Sequence, residues 1–574
     1  MSAITASHVA RTYQPTPLIG RNRWRVHERA RRSSAITVGV VGALSLAGTL
    51  HTPLRHLVHG LTPLFGIVGH TTAPVTMTFL SLGLLLTARG LRLGHRLAWA
   101  ATLTLLTISI GVHMAHRPDV YAETLPLLGT IWLAVRSRAF AVRPNFTTAL
   151  KALVLVASVT SVVLVGATAL TWSTAPHDLD ATLLSILQHL VGLTTIPLGS
   201  SHPFLNLALT IIGMALMSVT LWIVLSPRRI GRSVNRISDR ERARKIVGAH
   251  GQGTLDYFAL RDDKRWFFHG DSLVAYAVMA GVCLVSPDPI GPVEERRVVW
   301  TQFMAFAQAR GWTITILGAG EQWLDLYRSF DLHPVCLGEE AIIDASTFSL
   351  EGPAMRNLRQ TCNRLRRNGY AVTFHDPTEL DSDQRREVLE LADMSREGTV
   401  ERGFSMTLSR LFDSADTGLM ISIARDADGQ AQAFIQWTPA PGIDGWSLDV
   451  MRRNTEANLP SGVMDFLITE TAAHLKSRGE VGLGLNFAIL RNTMASESST
   501  TASRYGGRAI EVLSGRTQID SLGKYNEKFH PVWQPRYVVF GNWGSVAKQG
   551  LAMASAEGLS ELPLIGRFMT GMDK

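Results

Sequence analysis

The chain has 574 residues, a formal net charge of +9, 46% hydrophobic residues and 18% charged residues. The pI is about 9.7 and the mean hydropathy is +0.13. This length exceeds that of one ordinary core, so at least two domains are expected. The three cysteines, Cys283, Cys336 and Cys362, lack the spacing of a metal site and are interpreted as reduced core residues.

Hydropathy divides the chain into an apolar half, up to about Leu225, and a half of soluble character beyond Pro227. A helix needs about 20 apolar residues to cross the hydrocarbon of a bilayer. The stretch Ala181–Leu198 is predicted to be a re-entrant or interfacial helix on the outer face. Six further stretches are predicted to span a membrane: 35–52, 73–88, 97–114, 121–135, 148–172 and 203–225.

Arginines alternate between the loops that join these stretches, and this pattern gives the orientation. Loops on one side contain single arginines (Arg55, Arg117) or, over 173–202, no Lys or Arg. The other side has Arg21, Arg23, Arg25, Arg29, Arg31, Arg32, then Arg89, Arg92, Arg96, then Arg136, Arg138, Arg143, then Arg228, Arg229, Arg232, Arg236. The positive-inside rule therefore predicts that both termini and the soluble half lie in the cytosol.

Two other features of the apolar half are interpreted without a special function. The first apolar run starts late and lacks a small-residue cleavage site, so no cleaved signal peptide is expected. Six histidines lie near the outer ends of the predicted spans: His51, His56, His59, His70, His113 and His116. Interfacial polar residues are commoner than metal clusters there, so no metal is expected.

The soluble half begins with a mixed α and β pattern. Predicted strands are 255–260, 264–270, 272–285 and 313–320, with a strand pair over 335–346. Glu294–Arg310 is predicted to be an amphipathic helix with Trp300, Phe303, Met304 and Phe306 on its apolar stripe, and 321–330 to be another helix. The Gly-Ala-Gly after the strand at 313 is too short for a nucleotide loop.

A second series of elements follows the same logic. Strands are predicted at 370–375, 446–453, 481–490 and 535–540, helices at 383–396 and 462–478, and a hairpin around Asp428-Gly429. Two β-rich units in succession indicate a tandem α/β architecture with a cleft between them. The predicted domains are a basic segment 1–34, a six-span membrane helical bundle 35–226, a basic linker 227–252, units 253–372 and 373–540, and a tail 541–574.

Several motifs in the soluble half carry a family resemblance. They are Tyr257-Phe258, Ser286-Pro-Asp-Pro-Ile-Gly291, Leu337-Gly-Glu-Glu-Ala341, Gly403-Phe-Ser405, Leu448-Asp-Val-Met-Arg-Arg453, Gly462-Val-Met-Asp-Phe466 and Lys528-Phe-His-Pro-Val-Trp-Gln-Pro-Arg-Tyr537. In this order and spacing, 253–540 resembles the synthase domain of the bacterial phosphatidylglycerol aminoacyltransferases, the multiple peptide resistance factor family.

The resemblance implies two acetyltransferase-like units with a tunnel that receives lipid at one end and the aminoacylated tRNA terminus at the other. It implies lysyl- or alanyl-phosphatidylglycerol synthesis in the bacterial cytoplasmic membrane, with no cofactor, which lowers the negative charge of the membrane and weakens binding of cationic antimicrobial peptides. Six spans are too few for the flippase block of full-length relatives. A fused tRNA synthetase is not expected, so a separate synthetase would supply the charged tRNA; homo-oligomerisation is left open.

The chemistry is a transesterification, in which a lipid hydroxyl attacks the ester that joins an amino acid to tRNA. Asp449 and Arg452 match the family's acid–arginine pair, and Lys528 matches a family lysine; these three are the candidate catalytic residues. Asp449 would orient the ammonium or accept the hydroxyl proton, and Arg452 and Lys528 suit a phosphate or the oxyanion. Arg453, Asn526, Arg536 and Asn486 are candidate substrate-binding residues.

The sequence departs from the family at one of these positions. Many relatives have Phe-Lys-x-Lys-Phe where this chain has Tyr525-Asn-Glu-Lys-Phe529. Asn526 therefore replaces the first lysine, whose role is either lost or taken by Lys524 or Arg536.

A basic run lies on the predicted helix between the two units: Arg356, Arg359, Arg364, Arg366 and Arg367. A basic helix face is usually only solvated. Here a substrate with a phosphate backbone is expected, so these arginines are predicted to bind tRNA, with anionic lipid headgroups as the alternative.

Two other functions remain as alternatives. An acyl-CoA-dependent acyltransferase needs a glycine-rich pyrophosphate loop, but Arg453–Gly462 contains one glycine. A transporter or flippase with a regulatory cytosolic domain is disfavoured because the spans contain few charged residues. Hydrolase and NTPase motifs are absent from the sequence, and neither the amino acid nor the acceptor lipid can be identified from it.

Overall fold

The computed structural model describes residues 21–50, 74–116, 120–140, 142, 146–171, 179–191, 203–225, 237–396, 403–455, 459–489 and 523–557. The chain forms two units, residues 1–229 with 306–312, and residues 230–305 with 313–574. Predictions for residues outside these ranges, such as the histidines at 51, 56, 59 and 70, are not addressed by the structure.

The first unit is helical. Its helices in the described ranges are α1 (Arg21–Leu50), α2 (Pro74–Arg92), α3 (Arg96–His116), α4 (Val120–Val135), α5 (Phe146–Thr171), α6 (Leu179–Val191) and α7 (Pro203–Val224). Each of the six predicted spans coincides with one of these helices, and α6 coincides with the predicted interfacial helix. The helical state of the described residues of these stretches is thus confirmed.

Two helices are long and apolar enough to cross a membrane by length and composition. They are Thr148–Thr171 and Phe204–Val224, with mean hydropathies of 2.4 and 2.3. Their outward side chains are apolar and exposed, as for Val162 (72%) and Phe204 (85%). An unpaired apolar surface of this kind is typical of lipid-facing helices.

The second unit is built on one eleven-stranded sheet. Its strands are β1 (Arg265–His269), β2 (Ser272–Met279), β3 (Val282–Val285), β4 (Thr313–Ala319), β5 (His333–Asp344), β6 (Ala371–His375), β7 (Met420–Arg425), β8 (Ala431–Ala440), β9 (Gly445–Arg453), β10 (Gly482–Ile489) and β11 (Val532–Phe540). The order across the sheet is β1-β2-β3-β4-β11-β5-β10-β9-β8-β7-β6.

Seven helices belong to the described part of this unit or begin in it. They are α8 (Ile237–His250), α9 (Arg296–Gln308), α10 (Leu324–Ser329), α11 (Arg356–Arg367), α12 (Ser382–Arg396), α13 (Val463–Arg478) and α14 (Val546–Ala556). The predicted stripe of α9 is confirmed for Trp300, Phe303 and Met304, which are buried, whereas its fourth residue, Phe306, is half-buried. Phe303 packs edge-on against Phe267 of β1 at 5.6 Å between ring centroids.

The sheet contains two similar halves, as predicted for tandem acetyltransferase-like units. In each half one parallel pair occurs, β3 with β4 and β9 with β10, among otherwise antiparallel neighbours. The sequence pattern predicts that the strand at 535–540 closes the second half, and the structure corrects this prediction. That strand, β11, pairs instead with β4 and β5 of the first half, so the predicted boundary at 372/373 does not divide the sheet into two separate sets of strands.

Two local predictions were wrong. Residues 255–260 form a 3₁₀ turn, Asp256–Leu260, rather than a strand, because the Asp256 carboxylate accepts the backbone N–H groups of Gln252 and Gly253 at 2.7 Å each and closes the chain on itself. The predicted strand pair at 335–346 is the single twelve-residue strand β5, and Gly338 lies within it and pairs with Arg536 of β11.

The cysteine prediction holds for two of three residues. Cys283 and Cys362 are buried and Cys336 is half-buried, and all three are free thiols. Within the ranges that the structure describes, no group of three or more His, Cys, Asp or Glu side chains is arranged to hold a metal ion.

Candidate functional site

Asp449 is the extra residue of a bulge in β9. Its neighbours Leu448 and Val450 pair with the consecutive residues Trp437 and Gln436 of β8. A bulge resets the alternation of side chains along a strand. Leu448 therefore packs in the core beside α11 and α13, whereas Val450 packs in the core beside α12.

The Asp449 carboxylate is buried, with 5% of the residue exposed. One oxygen accepts the backbone N–H of Leu408 and the other accepts Nε2 of Gln436, both at 2.7 Å. Burial raises the pKa of Asp449 to about 6, although these hydrogen bonds lower it. A carboxylate with a pKa near neutrality is suited to accept a proton from a substrate hydroxyl.

The loop that supplies the Leu408 N–H is held by buried charged groups. Arg261 donates to the carbonyl oxygens of Gly403 and Thr407 at 2.9 and 3.0 Å. Glu557 accepts the N–H of Ser405. The ammonium of Lys264 lies 4.5 Å from the ring of Phe404, and burial lowers its pKa to about 7. These contacts fix the backbone that faces Asp449.

Asp449 and Arg452, the predicted acid–arginine pair, lie three residues apart on β9 and have different environments. Arg452 donates to the carbonyl oxygen of its neighbour Met451 at 2.9 Å, whereas the Asp449 carboxylate is hydrogen-bonded by Leu408, Gln436 and Thr407. Arg452 pairs opposite Phe434, whose side chain belongs to the core beside α12. Arg453, at the end of β9, is exposed.

Arg536 is buried on the central strands and forms an ion pair with Glu340. Its Nε and Nη2 donate to one oxygen of Glu340 at 2.9 and 2.5 Å, and Nη2 also donates to Thr254 Oγ1 at 2.7 Å. Arg536 is 8% exposed and Glu340 is fully buried. Burial lowers the pKa of Arg536, but the Glu340 carboxylate, together with Asp288 and Asp256, raises it, and the net shift is upward.

Polar atoms without partners surround this ion pair. The second oxygen of Glu340 and the hydroxyl of Ser447 are buried and accept or donate no hydrogen bond within the described ranges. A side chain added at Gly484 would lie 3.4 Å from the Ser447 hydroxyl and 3.5 Å from that Glu340 oxygen. The three residues therefore lie close together where β5, β10 and β9 are adjacent.

The asparagines and the lysine predicted nearby have different environments. Asn486 lies at an irregularity of β10 with φ +64°, and its Oδ1 is buried without a described partner. Asn526 is 2% exposed and its Nδ2 is likewise unpartnered among the described residues. Lys528 is half exposed and pairs with Asp465 at 3.1 Å. Lys524, one candidate to replace the missing family lysine, is exposed.

The five arginines of α11 lie on its solvent side, as the sequence predicts. The helix buries Leu358, Cys362 and Leu365, spaced by four and three residues, against the sheet. Three of the arginines are anchored within the protein: Arg359 to the carbonyl oxygens of Leu350 and Gly352, Arg364 to Ser461, and Arg366 to Glu470 at 2.5 Å. Arg356 and Arg367 are exposed, and Arg367 donates, among the described residues, to the carbonyl oxygen of Asn363 one turn earlier.

A cavity with an empty volume of about 450 Å³, partly open to solvent, lies in the first half of the sheet. Its lining includes Asp256, Asp288, Arg296, Trp323 and Arg536. Asp288 accepts the Gly320 N–H at 2.7 Å and the Tyr327 hydroxyl at 2.5 Å. Burial raises the pKa of Asp288 to about 7, and both hydrogen bonds lower it.

Sequence reasoning missed Asp288 and Arg296 as functional candidates, although it used the run 286–291 as a family motif. That run places an acidic residue between two prolines directly after the buried strand β3, at the end of a strand where a parallel pair diverges. Such a position commonly faces a binding cleft in α/β proteins, and it is the signal that could have identified Asp288.

Residues 244–540, slightly more than half of the chain, match the family described as phosphatidylglycerol lysyltransferase, C-terminal. Two curated relatives are named lysylphosphatidylglycerol biosynthesis bifunctional protein LysX. The one from Mycobacterium ulcerans is 32% identical over 69% of this chain and 36% of its own length; the one from Rhodococcus jostii is 29% identical over 99% and 52%.

One solved structure extends the comparison to the fold. It is described as L-PGS from Bacillus licheniformis, and it is 24% identical with a TM-score of 0.51 over 58% of this chain and 99% of that chain. The present chain spans about a third to a half of the length of the curated relatives it matches.

Proposed function

Because the chain belongs to the phosphatidylglycerol lysyltransferase C-terminal family, we propose that it transfers an aminoacyl group from aminoacyl-tRNA to a hydroxyl group of a membrane lipid. Phosphatidylglycerol is the proposed acceptor, and lysine or alanine the proposed amino acid. The observation that carries the proposal is the buried Asp449 carboxylate in the β9 bulge, inside the segment that matches the family.

In the proposed reaction the lipid hydroxyl oxygen attacks the ester carbonyl carbon. A new carbon–oxygen bond forms to the lipid, and the bond to the ribose oxygen of tRNA breaks. The proton leaves the lipid hydroxyl and ends on that ribose oxygen. Asp449 would hold it in between, because its pKa of about 6 leaves it mostly unprotonated at neutral pH. The ester is already activated, so no covalent enzyme intermediate is required.

The remaining candidates have supporting roles in this proposal. Arg452 and Lys528 stabilise the oxyanion or a phosphate, while Arg453, Asn486, Asn526 and Arg536 contact substrate. Buried amide groups without a partner among the described residues, as at Asn486 and Asn526, are suited to bind a polar ligand, because leaving them unpaired is costly. The exposed arginines of α11 bind the tRNA backbone.

We also propose that the first unit anchors the enzyme in the bacterial cytoplasmic membrane with six spans, α1 to α5 and α7, and with both termini in the cytosol. The distribution of arginines between the loops and the apolar, exposed surfaces of α5 and α7 support this arrangement. Alkaline phosphatase fused within 173–202 should be active and a fusion within 136–143 inactive; the reverse pattern would contradict this topology.

The function is tested by following label from a panel of charged tRNAs into chloroform-extractable lipid, with the full chain in phosphatidylglycerol vesicles. Label from one tRNA, lost in Asp449→Asn, would identify both reaction and amino acid. The matched control is Asp444→Asn, because Asp444 is exposed in the turn before β9 with φ +47°, a conformation that asparagine adopts readily. No label from any tRNA, with folded protein, would refute the aminoacyl donor.

A further inference from the structure

Two guanidinium groups face the cavity of the first half with N–H groups that no described residue accepts. Arg296 stacks near the ring of Trp323, 5.1 Å from its centroid, and forms no hydrogen bond or ion pair in the described ranges. Arg536 uses Nε and Nη2 on Glu340 and Thr254, which leaves its Nη1 without a described protein partner. Two arginine side chains that line one cavity are suited to bind a phosphate.

The same cavity contains carboxylates able to accept hydroxyl groups. Both backbone N–H bonds to Asp256 end on one oxygen, so its other oxygen accepts none from the described residues. Each oxygen of Asp288 accepts one hydrogen bond, and a carboxylate oxygen has capacity for two. Since burial raises the pKa of Asp288 to about 7, this group is partly protonated at neutral pH and repels a bound phosphate only weakly.

The cavity lies on the face of the sheet opposite α11. Ala341 and Ile343 of β5 share a core with Leu358 of α11. Glu340 alternates with them and therefore points to the other face, where it binds Arg536. The cavity is partly open to solvent and is far too small for folded RNA. These two facts favour a ligand that is separate from the tRNA body.

We propose that this cavity binds the polar headgroup of the acceptor lipid, with the phosphodiester on Arg296 and Arg536 and the headgroup hydroxyls on Asp288 and Asp256. The inference rests on the proposed function, because it names the acceptor site of that reaction. The recognised chemistry is a glycerophosphate group, whether it belongs to a lipid or to a free glycerophosphodiester, and the acyl chains remain outside the cavity.

The first test measures binding without catalysis. Glycerophosphoglycerol, the soluble headgroup, is titrated into the full chain in phosphatidylcholine nanodiscs by calorimetry. We expect Arg296→Ala to weaken binding by about 10-fold or more, as for loss of a charged hydrogen bond, and Arg296→Lys to restore part of it. The matched control Arg297→Ala removes the next arginine of α9, which is exposed and does not line the cavity, and should bind as the natural chain does. Equal binding by the two alanine variants overturns the proposal.

The second test separates acceptor from donor. With labelled aminoacyl-tRNA and phosphatidylglycerol vesicles, Arg296→Ala should raise the KM for lipid about 10-fold and leave the KM for aminoacyl-tRNA unchanged. With diacylglycerol, which has a hydroxyl but no phosphate, Arg296→Ala and Arg297→Ala should behave alike. A raised KM for aminoacyl-tRNA alone would assign the cavity to the RNA terminus and overturn the proposal. If the natural chain transfers no label, the proposed function fails, and the binding titration still decides what the cavity binds.

Discussion

Replacing Asp449 with asparagine separates a catalytic role from a structural one. The amide keeps the size of the carboxylate and can still accept the Leu408 N–H. A flipped Gln436 could accept the new amide N–H, because its Oε1 is buried and has no partner in the described residues. The fold should therefore persist while the proton acceptor is lost, and transfer should fall by about 10²- to 10⁴-fold.

The pKa of Asp449 sets how strongly the transfer rate of the natural chain should depend on pH. With a pKa of about 6, about nine-tenths of the Asp449 side chains are unprotonated at pH 7 and about one-tenth at pH 5. Single-turnover transfer should thus fall nearly tenfold between these values. An ordinary aspartate, with a pKa of 3.8, would change by less than about a tenth over the same range. A flat profile between pH 7 and 5 would refute the assignment of Asp449 as the base.

The raised pKa of Asp449 also predicts that the folded state becomes less stable as the pH rises, whereas activity increases. The folded state binds the Asp449 proton more tightly than the unfolded chain does, so the free energy of unfolding decreases as the pH rises from 3.8 through about 6. Two units of pKa correspond to about 3 kcal/mol. Asp449→Asn should therefore be more stable than the natural chain at pH 7 by up to this amount, and the gain should vanish near pH 4. A variant that is inactive and also less stable at pH 7 would indicate a structural role.

Three further predictions concern the ion pairs and the basic helix. Arg536→Met leaves the Glu340 carboxylate buried without its cation, which should lower the free energy of unfolding by about 3–5 kcal/mol. The Tm of the full chain in micelles should fall and should be largely recovered when Glu340→Leu is added. No recovery in the double variant would contradict this explanation. Arg356 and Arg367 are both on the exposed side of α11. Replacing either with glutamine should raise the KM for aminoacyl-tRNA and reduce the slope of log KM against log salt concentration by about one. An unchanged slope would argue against contacts with tRNA phosphates. Lys528→Met removes a half-exposed ion pair worth about 0–1 kcal/mol, so the Tm should change little. If Lys528 acts on the substrate, transfer should nevertheless fall at least about tenfold. Parallel losses of activity and stability would remove Lys528 from the site.

Local patterns in the sequence predicted most individual elements because each one depends on its own periodicity. The stripe of α9 and the buried positions of α11 follow directly from helical spacing. The 255–260 segment was misassigned because Tyr257, Phe258 and Leu260 suggest a strand. The bonds from two backbone N–H groups to Asp256 cannot be inferred from composition.

The site was only partly predictable for a related reason. Asp449, Arg536 and the α11 arginines were found through motifs, but the bulge that orients Asp449 depends on how β9 pairs with β8. The ion pair between Arg536 and Glu340 joins residues 196 positions apart, and no local pattern encodes it. Asp288 and Arg296 lie on separate elements, and only the folded sheet brings them to one cavity.

The position of β11 also constrains how this protein is made and rearranged. It is the strand that joins β4 to β5 in the sheet, and it is synthesised more than 180 residues after Asp344 ends β5. A ribosome that has completed β10 has therefore produced two separate groups of strands, and the sheet becomes continuous only when the last strand emerges. Truncation before Val532 should release a chain with exposed strand edges, which are prone to aggregate. For the same reason, exchanging halves between relatives at the α11 helix would place β11 beside strands from another parent, so a working chimera must transfer β11 together with the first half.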